Sequence, residues 1–111
     1  MVKINFVGDF VINSHIEMSL DKILSKADFN VVNFEAPIRT ALYPNLKSGP
    51  SIQQNASAPQ WLKEKGFNVF SLANNHINDY GEKAARKTET ALGHGKCVGI
   101  GEGMGAYKPL I

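Results

Sequence analysis

An apolar run passes directly into a polar loop in the stretch Phe70-Ser71-Leu72-Ala73-Asn74-Asn75-His76-Ile77-Asn78-Asp79-Tyr80-Gly81. The apolar half belongs to a strand predicted over residues 67–73, and a helical pattern begins after Gly81. In an α/β domain, ligands bind outside the carboxyl ends of the strands, where loops lead into helices. The Asn and His side chains that end this strand can coordinate a metal or donate to an oxyanion. Position and composition together therefore predict a chemical site at this strand end.

Two earlier segments also have the pattern of strands that end in polar side chains. Residues 3–7 lead into Gly8-Asp9, and residues 29–34 lead into Glu35. A further strand is predicted at residues 96–100. Helical spacing predicts three helices, at residues 19–27, 58–65 and 82–93. Strands that alternate with helices form mostly parallel sheets with covering helices, so the sequence predicts an α/β fold.

A long connection separates the second predicted strand from the third. Residues 38–56 hold few periodic apolar side chains and contain Pro44, Gly49 and Pro50. A short strand at residues 51–54 is expected within it. Long loops without regular structure are uncommon in compact domains and often act as functional lids. The sequence marks this excursion as a candidate lid but assigns it no specific role.

Composition and charge restrict the class of protein. The chain has 111 residues, of which 43% are hydrophobic and 20% charged, and a formal net charge of +2. This size suits one small domain, and the composition is ordinary for a soluble protein. No block of like charges indicates a nucleic-acid or membrane partner, and no apolar run approaches the ~18 residues of a membrane span. The single cysteine, Cys97, is expected to be a buried and unreactive thiol.

The expected location follows from the first residues of the chain. The sequence opens directly on a predicted strand, without a basic leader and an apolar targeting segment. As written, the protein is expected to be cytoplasmic. A longer native product could carry a leader, and an association with the cell surface would then be open.

The polar residues that follow three of the strands form the candidate constellation. They are Asp9, Asn33 with Glu35, and Asn74 with Asn75 and His76. The carboxyl ends of neighbouring parallel strands lie together, so these side chains are expected on one rim. Oxygen and imidazole ligands suit Mn, Fe, Zn or Mg. Two such ions ~3.5–4 Å apart would polarise a phosphoryl oxygen and supply a hydroxide, and a His beside a metal-ligating Asn could protonate the leaving group.

Each of these residues also has a plainer interpretation. A Gly-Asp pair after a strand is commonly a turn, which could account for Asp9. Glu35 could be a surface carboxylate, Asn75 a loop cap, and His76 a structural histidine. His15 lies in an irregular segment near Asp9, where a substrate-side role is open to it. The functional interpretation is preferred because the polar residues cluster where a strand ends.

These residues resemble a known family. The resemblance is carried by four motifs, Gly8-Asp9, Asn33-Phe34-Glu35-Ala36-Pro37-Ile38, Leu72 through Gly81, and Gly99-Ile100-Gly101. They are similar to the poly-γ-glutamate capsule-biosynthesis proteins of CapA type, within the calcineurin-like metallophosphoesterase superfamily. The resemblance covers essentially the whole chain. It implies a four-layer α/β/β/α sandwich with a binuclear metal site.

The resemblance also implies roles for individual residues. Asp9 resembles the metal ligand of the first motif, and Glu35 stands where the superfamily has a bridging carboxylate. Asn75 resembles the metal-ligating Asn of the Asn-His motif, and His76 its proton-donating His. Three further residues are expected to support these ligands from outside the coordination sphere: Asn33, Asn74 and Asp79.

Two departures from the superfamily pattern bear on catalysis. Its first motif is commonly Asp-x-His, but position 11 is Val, so one ligand is absent. The superfamily also takes metal-ligating histidines from later motifs, whereas the only histidines here are His15, His76 and His94. Residues 1–111 are therefore interpreted as the amino-terminal half of a CapA-like metallophosphoesterase domain. Hydrolase activity is expected only if the missing carboxyl-terminal half completes the site.

The functional expectation is a metal-dependent hydrolase-type site in capsule or poly-γ-glutamate biosynthesis. Its substrate would be a small-molecule phosphoester, or an acyl-phosphate or amide of polyglutamate type. A homo-oligomer or a complementary half is the expected partner. The alternative is a non-catalytic remnant or interaction module that retains the fold. A third alternative, a nucleotide-binding α/β domain, would depend on the glycines of residues 99–105 alone.

Overall fold

One parallel sheet organises the described part of the chain. The structure is a computed structural model that describes residues 1–14, 17, 19 and 21–101. Its strands, in chain order and in spatial order, are β1 (Ile4–Phe10), β2 (Phe29–Phe34), β3 (Val69–Ser71) and β4 (Cys97–Val98). The α-helices are α1 (Asp21–Leu24), α2 (Ala58–Lys65) and α3 (Glu82–Leu92), and a 3₁₀ turn spans His94–Lys96. The predicted α/β fold is confirmed.

Local signals in the sequence set the bounds of α2. Pro59 lies in the first turn, where its missing N–H leaves no hydrogen bond unmade. Gly66 ends the helix in the left-handed conformation with φ of 107°, and its N–H donates to carbonyls of the last turn. The predicted helix at residues 58–65 is confirmed. It could be predicted because a residue at each end, Pro59 and Gly66, marks the boundary.

The core lies between one face of the sheet and the helices. Val32, Phe34 and Phe70 point to this face and are at most 1% exposed. They belong to one apolar cluster with Leu62 of α2 and Leu92 of α3. Burial of apolar surface stabilises a fold by roughly 25 cal/mol per Å². This face therefore holds the helices against the strands and fixes the positions of the strand ends.

The single cysteine lies in the same core. Cys97 is 8% exposed, and its Sγ donates to the Gly93 carbonyl at 3.4 Å. Burial raises the pKa of the Cys97 thiol to about 12, and the nearby Glu89 adds to the effect. The predicted buried thiol is confirmed. A thiol with this pKa stays protonated at neutral pH and is a poor nucleophile.

The opposite face of the sheet carries apolar side chains that remain in solvent. Register places Ile4 beside Phe29 and Phe6 beside Val31 on this face. Ile4, Phe6 and Phe29 are 49%, 79% and 44% exposed. Parallel sheets are normally covered on both faces. We call the surface formed by Ile4, Phe6, Phe29 and Val31 the open face.

Several element boundaries differ from those predicted. The first strand continues to Phe10. Three other elements are shorter than predicted: the first helix spans Asp21–Leu24, the third strand Val69–Ser71 and the fourth strand Cys97–Val98. The strand expected at residues 51–54 is reduced to a single bridge between Ile38 and Gln54. Gly99 has φ of +81° directly after the fourth strand, which turns the chain out of the ladder. Among the described residues, no helix combines the length and apolar character needed to cross a bilayer.

Candidate functional site

A bulge in β1 determines where Asp9 points. The register shifts at Gly8, so that Asp9 pairs with Asn33 of β2. Without this offset Asp9 would stand opposite Phe34, whose side chain is fully buried in the core. A bulge inserts one extra residue and re-aims the side chains beyond it. The carboxylate of Asp9 is therefore brought to the Asn33 side of the sheet, at the carboxyl end of the open face.

The Asn33 amide joins two carboxylates that lie 26 positions apart in the sequence, Asp9 and Glu35. Asn33 Nδ2 donates to Asp9 Oδ1 at 2.7 Å and also to Glu35 Oε2. Glu35 is partly buried, and its backbone N–H donates to the Phe10 carbonyl at 3.2 Å. Both carboxylates therefore converge on one nitrogen atom at the ends of β1 and β2.

Asn74 fastens the loop after β3 to the end of β2. Its Nδ2 donates to Asn33 Oδ1 at 3.1 Å and to the Phe34 carbonyl at 2.9 Å. Its Oδ1 accepts from the backbone N–H groups of His76 and Ile77 at 3.1 and 2.8 Å. An Asn side chain that accepts from following N–H groups stabilises a turn. This one amide therefore connects the carboxylate pair to the loop that carries His76.

A buried carboxylate holds the His76 ring. His76 Nδ1 lies 2.7 Å from Asp79 Oδ2, and Asp79 is 2% exposed. The same Oδ2 accepts from the Ile52 N–H at 2.7 Å, and Oδ1 accepts from Lys47 Nζ. Burial alone would raise the pKa of Asp79, but the hydrogen bonds from Lys47, Ile52 and His76 outweigh it and hold the pKa below 3.8.

This arrangement assigns the protons of the imidazole. An ionised carboxylate only accepts hydrogen bonds, so Nδ1 of His76 must carry a proton to bond Asp79. In the neutral ring the other nitrogen, Nε2, is then free to accept a proton, and in the charged ring it can donate one. The His76 side chain is 14% exposed, which keeps the ring accessible while most of it is packed. The site can therefore perform general acid–base chemistry through Nε2.

The comparisons with known proteins identify the family of the chain. The family described as bacterial capsule synthesis protein PGA_cap matches residues 3–108. The chain belongs to this family. It is 29% identical over 122 aligned residues to the capsule biosynthesis protein CapA of Bacillus anthracis, with 95% of the chain and 30% of that protein covered. It is 27% identical over 122 residues to the PGA biosynthesis protein CapA of Bacillus subtilis strain 168, with 96% and 32% covered.

The family membership confirms the resemblance found in the motifs. The chain spans about a third of the length of the curated relatives it matches. Bacterial capsule synthesis proteins of CapA type are therefore the family of this chain.

The structure brings most of the predicted site residues of this PGA_cap chain into one network. Asn33 bonds Asp9, Glu35 and Asn74, and the network continues from Asn74 to His76 and from His76 to Asp79. Asn75 lies in the same loop with its side chain exposed, and no hydrogen bond of that side chain occurs among the described residues. Its role as a ligand stays a prediction. His15 lies outside the described residues, as do residues 102–105 of the glycine-rich segment.

Sequence reasoning missed Lys47 and the role of Gly8. Lys47 lies in the excursion, 32 positions before the carboxylate that it contacts. Nothing in the local pattern around Lys47 indicates this contact, and only the unusual length of the excursion pointed to the segment. Gly8 was interpreted as a turn residue, whereas it is the extra residue of a bulge inside β1.

The donor set can be compared with the needs of a divalent cation. Within the described part of the chain, no group of three or more His, Cys, Asp or Glu side chains is arranged to hold a metal ion. Asp9 and Glu35 nevertheless present oxygens within hydrogen-bond reach of one point, now held by the Asn33 amide. Two carboxylates with an amide oxygen suit hard cations such as Mg or Mn. The residues fit the oxygen-rich part of a metal site.

Proposed function

We propose that this chain forms the carboxylate and proton-transfer part of a metal-dependent hydrolase-type site in a CapA-type capsule biosynthesis protein. The observation that supports it most is the convergence of Asp9 and Glu35 on a single point at the strand ends. Like charges this close favour a shared cation between them. Asp9, Glu35 and the amide oxygen of Asn75 would hold one or two divalent ions, Mn, Fe, Zn or Mg.

The chemistry divides between the ion and the side chains of the chain. A divalent cation bound there would polarise a phosphoryl or acyl oxygen and make a bound water more acidic. His76, held by Asp79 through Nδ1, would exchange a proton with the leaving group through Nε2. Asn33 and Asn74 hold the carboxylates and the His76 loop in position relative to each other.

The substrate is proposed from the relatives and from the chemistry of the site. One relative is named as a PGA biosynthesis protein. A polyglutamate-type acyl-phosphate or amide, or a small-molecule phosphoester, contains an oxygen that such a site can polarise. The carboxylates Asp9 and Glu35 would repel an anionic chain in the absence of a cation, so we expect any binding of polyglutamate to depend on the metal.

The proposal predicts metal binding that depends on the two carboxylates. Mn²⁺ binding to the 111-residue chain would be measured by isothermal titration calorimetry at pH 7. We expect Asp9→Asn and Glu35→Gln each to weaken binding by at least ~10-fold, since even the loss of a partner outside the coordination sphere costs 10–100-fold. The variant Asn75→Ala tests the third ligand in the same way.

Glu64→Gln is the matched control, because Glu64 is an exposed carboxylate on α2 whose Oε1 accepts from Gln60. We expect it to leave the dissociation constant unchanged. If the unmodified chain binds no Mn²⁺ at millimolar concentration, or if Asp9→Asn and Glu35→Gln behave like Glu64→Gln, the metal-dependent function is wrong. The chain would then be an interaction module that retains the fold.

A further inference from the structure

One stretch of the excursion is fastened to the loop that carries His76. We call residues 45–52 the strap. The Asn45 N–H donates to the Asp79 carbonyl at 2.7 Å, and Asn45 Nδ2 donates to the Asn78 carbonyl at 2.8 Å. The Ile52 N–H and Lys47 Nζ donate to the two oxygens of the Asp79 carboxylate. Four hydrogen bonds from the strap therefore end on two consecutive residues of the site loop.

Two side chains and one backbone N–H share the Asp79 carboxylate. Lys47 donates to Oδ1, and His76 Nδ1 lies at Oδ2. Lys47 Nζ and His76 Nδ1 are 3.5 Å apart, but both nitrogens carry protons, so they share the carboxylate rather than bond each other. The Asp79 side chain is 1% exposed and that of Lys47 is 27% exposed. Lys47 thus reaches from the surface to the one carboxylate that orients the imidazole.

We propose that Lys47 is a positioning residue for His76, acting through Asp79. Its ammonium group occupies Oδ1 and fixes the carboxylate plane, so that Oδ2 faces His76 Nδ1. The ring is thereby kept as the tautomer with its proton on Nδ1, which leaves Nε2 for proton exchange. Without Lys47, a carboxylate this deeply buried would rotate toward other donors or take up a proton, and the ring would lose its fixed acceptor.

The strap has a structural role that does not depend on catalysis, since it joins the excursion to the site loop. The catalytic consequence, a weaker proton transfer through His76, rests on the proposed function. Asn45 and Ile52 keep the strap in place through backbone groups, so substitution of Lys47 removes one bond of four and leaves the others.

The proposal is tested by the tautomer of His76, observed as ¹H–¹⁵N correlations of the imidazole in ¹⁵N-labelled chain near pH 8.5. We expect the unmodified chain to show one tautomer with the proton on Nδ1. Lys47→Met should give an averaged signal with a substantial share of the Nε2–H tautomer. Lys47→Arg, which retains the charge and a donor, should restore the Nδ1–H signal.

Lys83→Met is the matched control, because Lys83 is an exposed lysine in the first turn of α3. It should leave the His76 signals unchanged. Lys47→Gln retains a donor without the charge and is measured in parallel, so that a failure of Lys47→Met to fold does not end the test. If Lys47→Met or Lys47→Gln retains the Nδ1–H signal at the same shifts, Lys47 does not position the ring.

The two proposals fail separately. The tautomer is read without metal and without turnover, whereas the metal proposal is read from the Mn²⁺ dissociation constant. A changed tautomer in Lys47→Met with no Mn²⁺ binding would retain the positioning role and overturn the metal site. Normal Mn²⁺ binding of the unmodified chain, with an unchanged tautomer in Lys47→Met, would retain the metal site and overturn the positioning role.

Discussion

At the scale of single residues, the site depends on side chains that satisfy several partners at once. Asn33 donates to two carboxylates and accepts from Asn74. Asp79 accepts from a lysine, an imidazole and a backbone N–H while almost fully buried. Buried polar groups are costly unless such partners are present. Loss of one partner therefore leaves the others unpaired, and single substitutions here should have large effects.

The ionised state of Asp79 predicts a pH dependence of stability. Its pKa in the folded chain lies below the ordinary value of 3.8, so the folded state holds the proton less tightly than the unfolded state. The stabilisation is therefore fully present above about pH 4 and is lost as pH falls through the lower, folded-state pKa. We expect Asp79→Asn to lower the free energy of unfolding by about 1.5–3 kcal/mol at pH 7, as for hydrogen bonds to a charged group.

This is measured by urea unfolding of both proteins from pH 7 to pH 2.5, followed by the fluorescence of Trp61, the single tryptophan. The difference between the two proteins should shrink below pH 4. Glu64→Gln, which removes an exposed carboxylate, should show almost no difference at any pH. A constant difference from pH 7 to pH 2.5 would mean that the charge of Asp79 contributes nothing.

At the scale of elements, the sequence predicted what is encoded locally. The bounds of α2 were correct because Pro59 in its first turn and Gly66 directly after its last residue mark them. The second strand was correct, since it spans the predicted residues, and alternate residues of it are buried. The third and fourth strands were predicted too long, since their length depends on each other's hydrogen bonds and not on their own residues.

The sequence predicted those parts of the candidate site that follow from general rules of the fold. The grouping of Asp9, Glu35 and His76 at one edge could be predicted because parallel strands bring their carboxyl ends together. The contact between Lys47 and Asp79 could not be found, since it follows from the path of a long loop without periodicity. The bulge at Gly8 was also hidden, because Gly-Asp after a strand has the same pattern as a turn.

The approach of the fourth strand to the third predicts a strong effect at Gly99. Its φ is +81°, and a Cβ built there would lie 2.5 Å from Ala73 Cβ and 2.9 Å from the Ala73 nitrogen. We expect Gly99→Ala to destabilise the chain by about 1–3 kcal/mol through backbone strain and overpacking. The measurement is urea unfolding at pH 7.

Gly95→Ala is the matched control, because nothing lies within 4 Å of a Cβ built at Gly95 and its φ is not positive. It should be neutral or slightly stabilising, since Ala restricts the unfolded chain more than Gly. Equal effects of the two substitutions would show that the contact between Gly99 and Ala73 is not tight in solution.

At the scale of the whole molecule, the two faces of the sheet differ in their exposure to solvent. One face is packed against helices, while the open face presents Ile4, Phe6 and Phe29 to water. The candidate site lies at the carboxyl end of this open face, where Asp9 and Asn33 pair. Whatever covers the open face would therefore also stand beside the site. The open face and the candidate site are therefore neighbouring surfaces of the same sheet.

This exposure predicts self-association of the 111-residue chain when it is isolated. An exposed apolar face, together with the position of β1 at the edge of the sheet formed by the described strands, favours contact with another copy. We expect sedimentation velocity to show dimers or larger species that increase with concentration between roughly 10 and 100 μM, a range typical of weak interfaces. Phe6→Thr, which retains β propensity at a site that is 79% exposed, should shift the chain toward monomer.

Leu46→Ser is the matched control, because Leu46 is at least as exposed as Phe6 but lies on the strap. If exposed apolar area alone caused association, both substitutions would reduce it. If the open face causes it, only Phe6→Thr does, and Ile4→Thr adds to the effect because its side chain lies on the same face. A monodisperse, cooperatively unfolding monomer at 100 μM, the upper end of the range of about 10–100 μM set above, would contradict the prediction and show that this sheet tolerates water on one side.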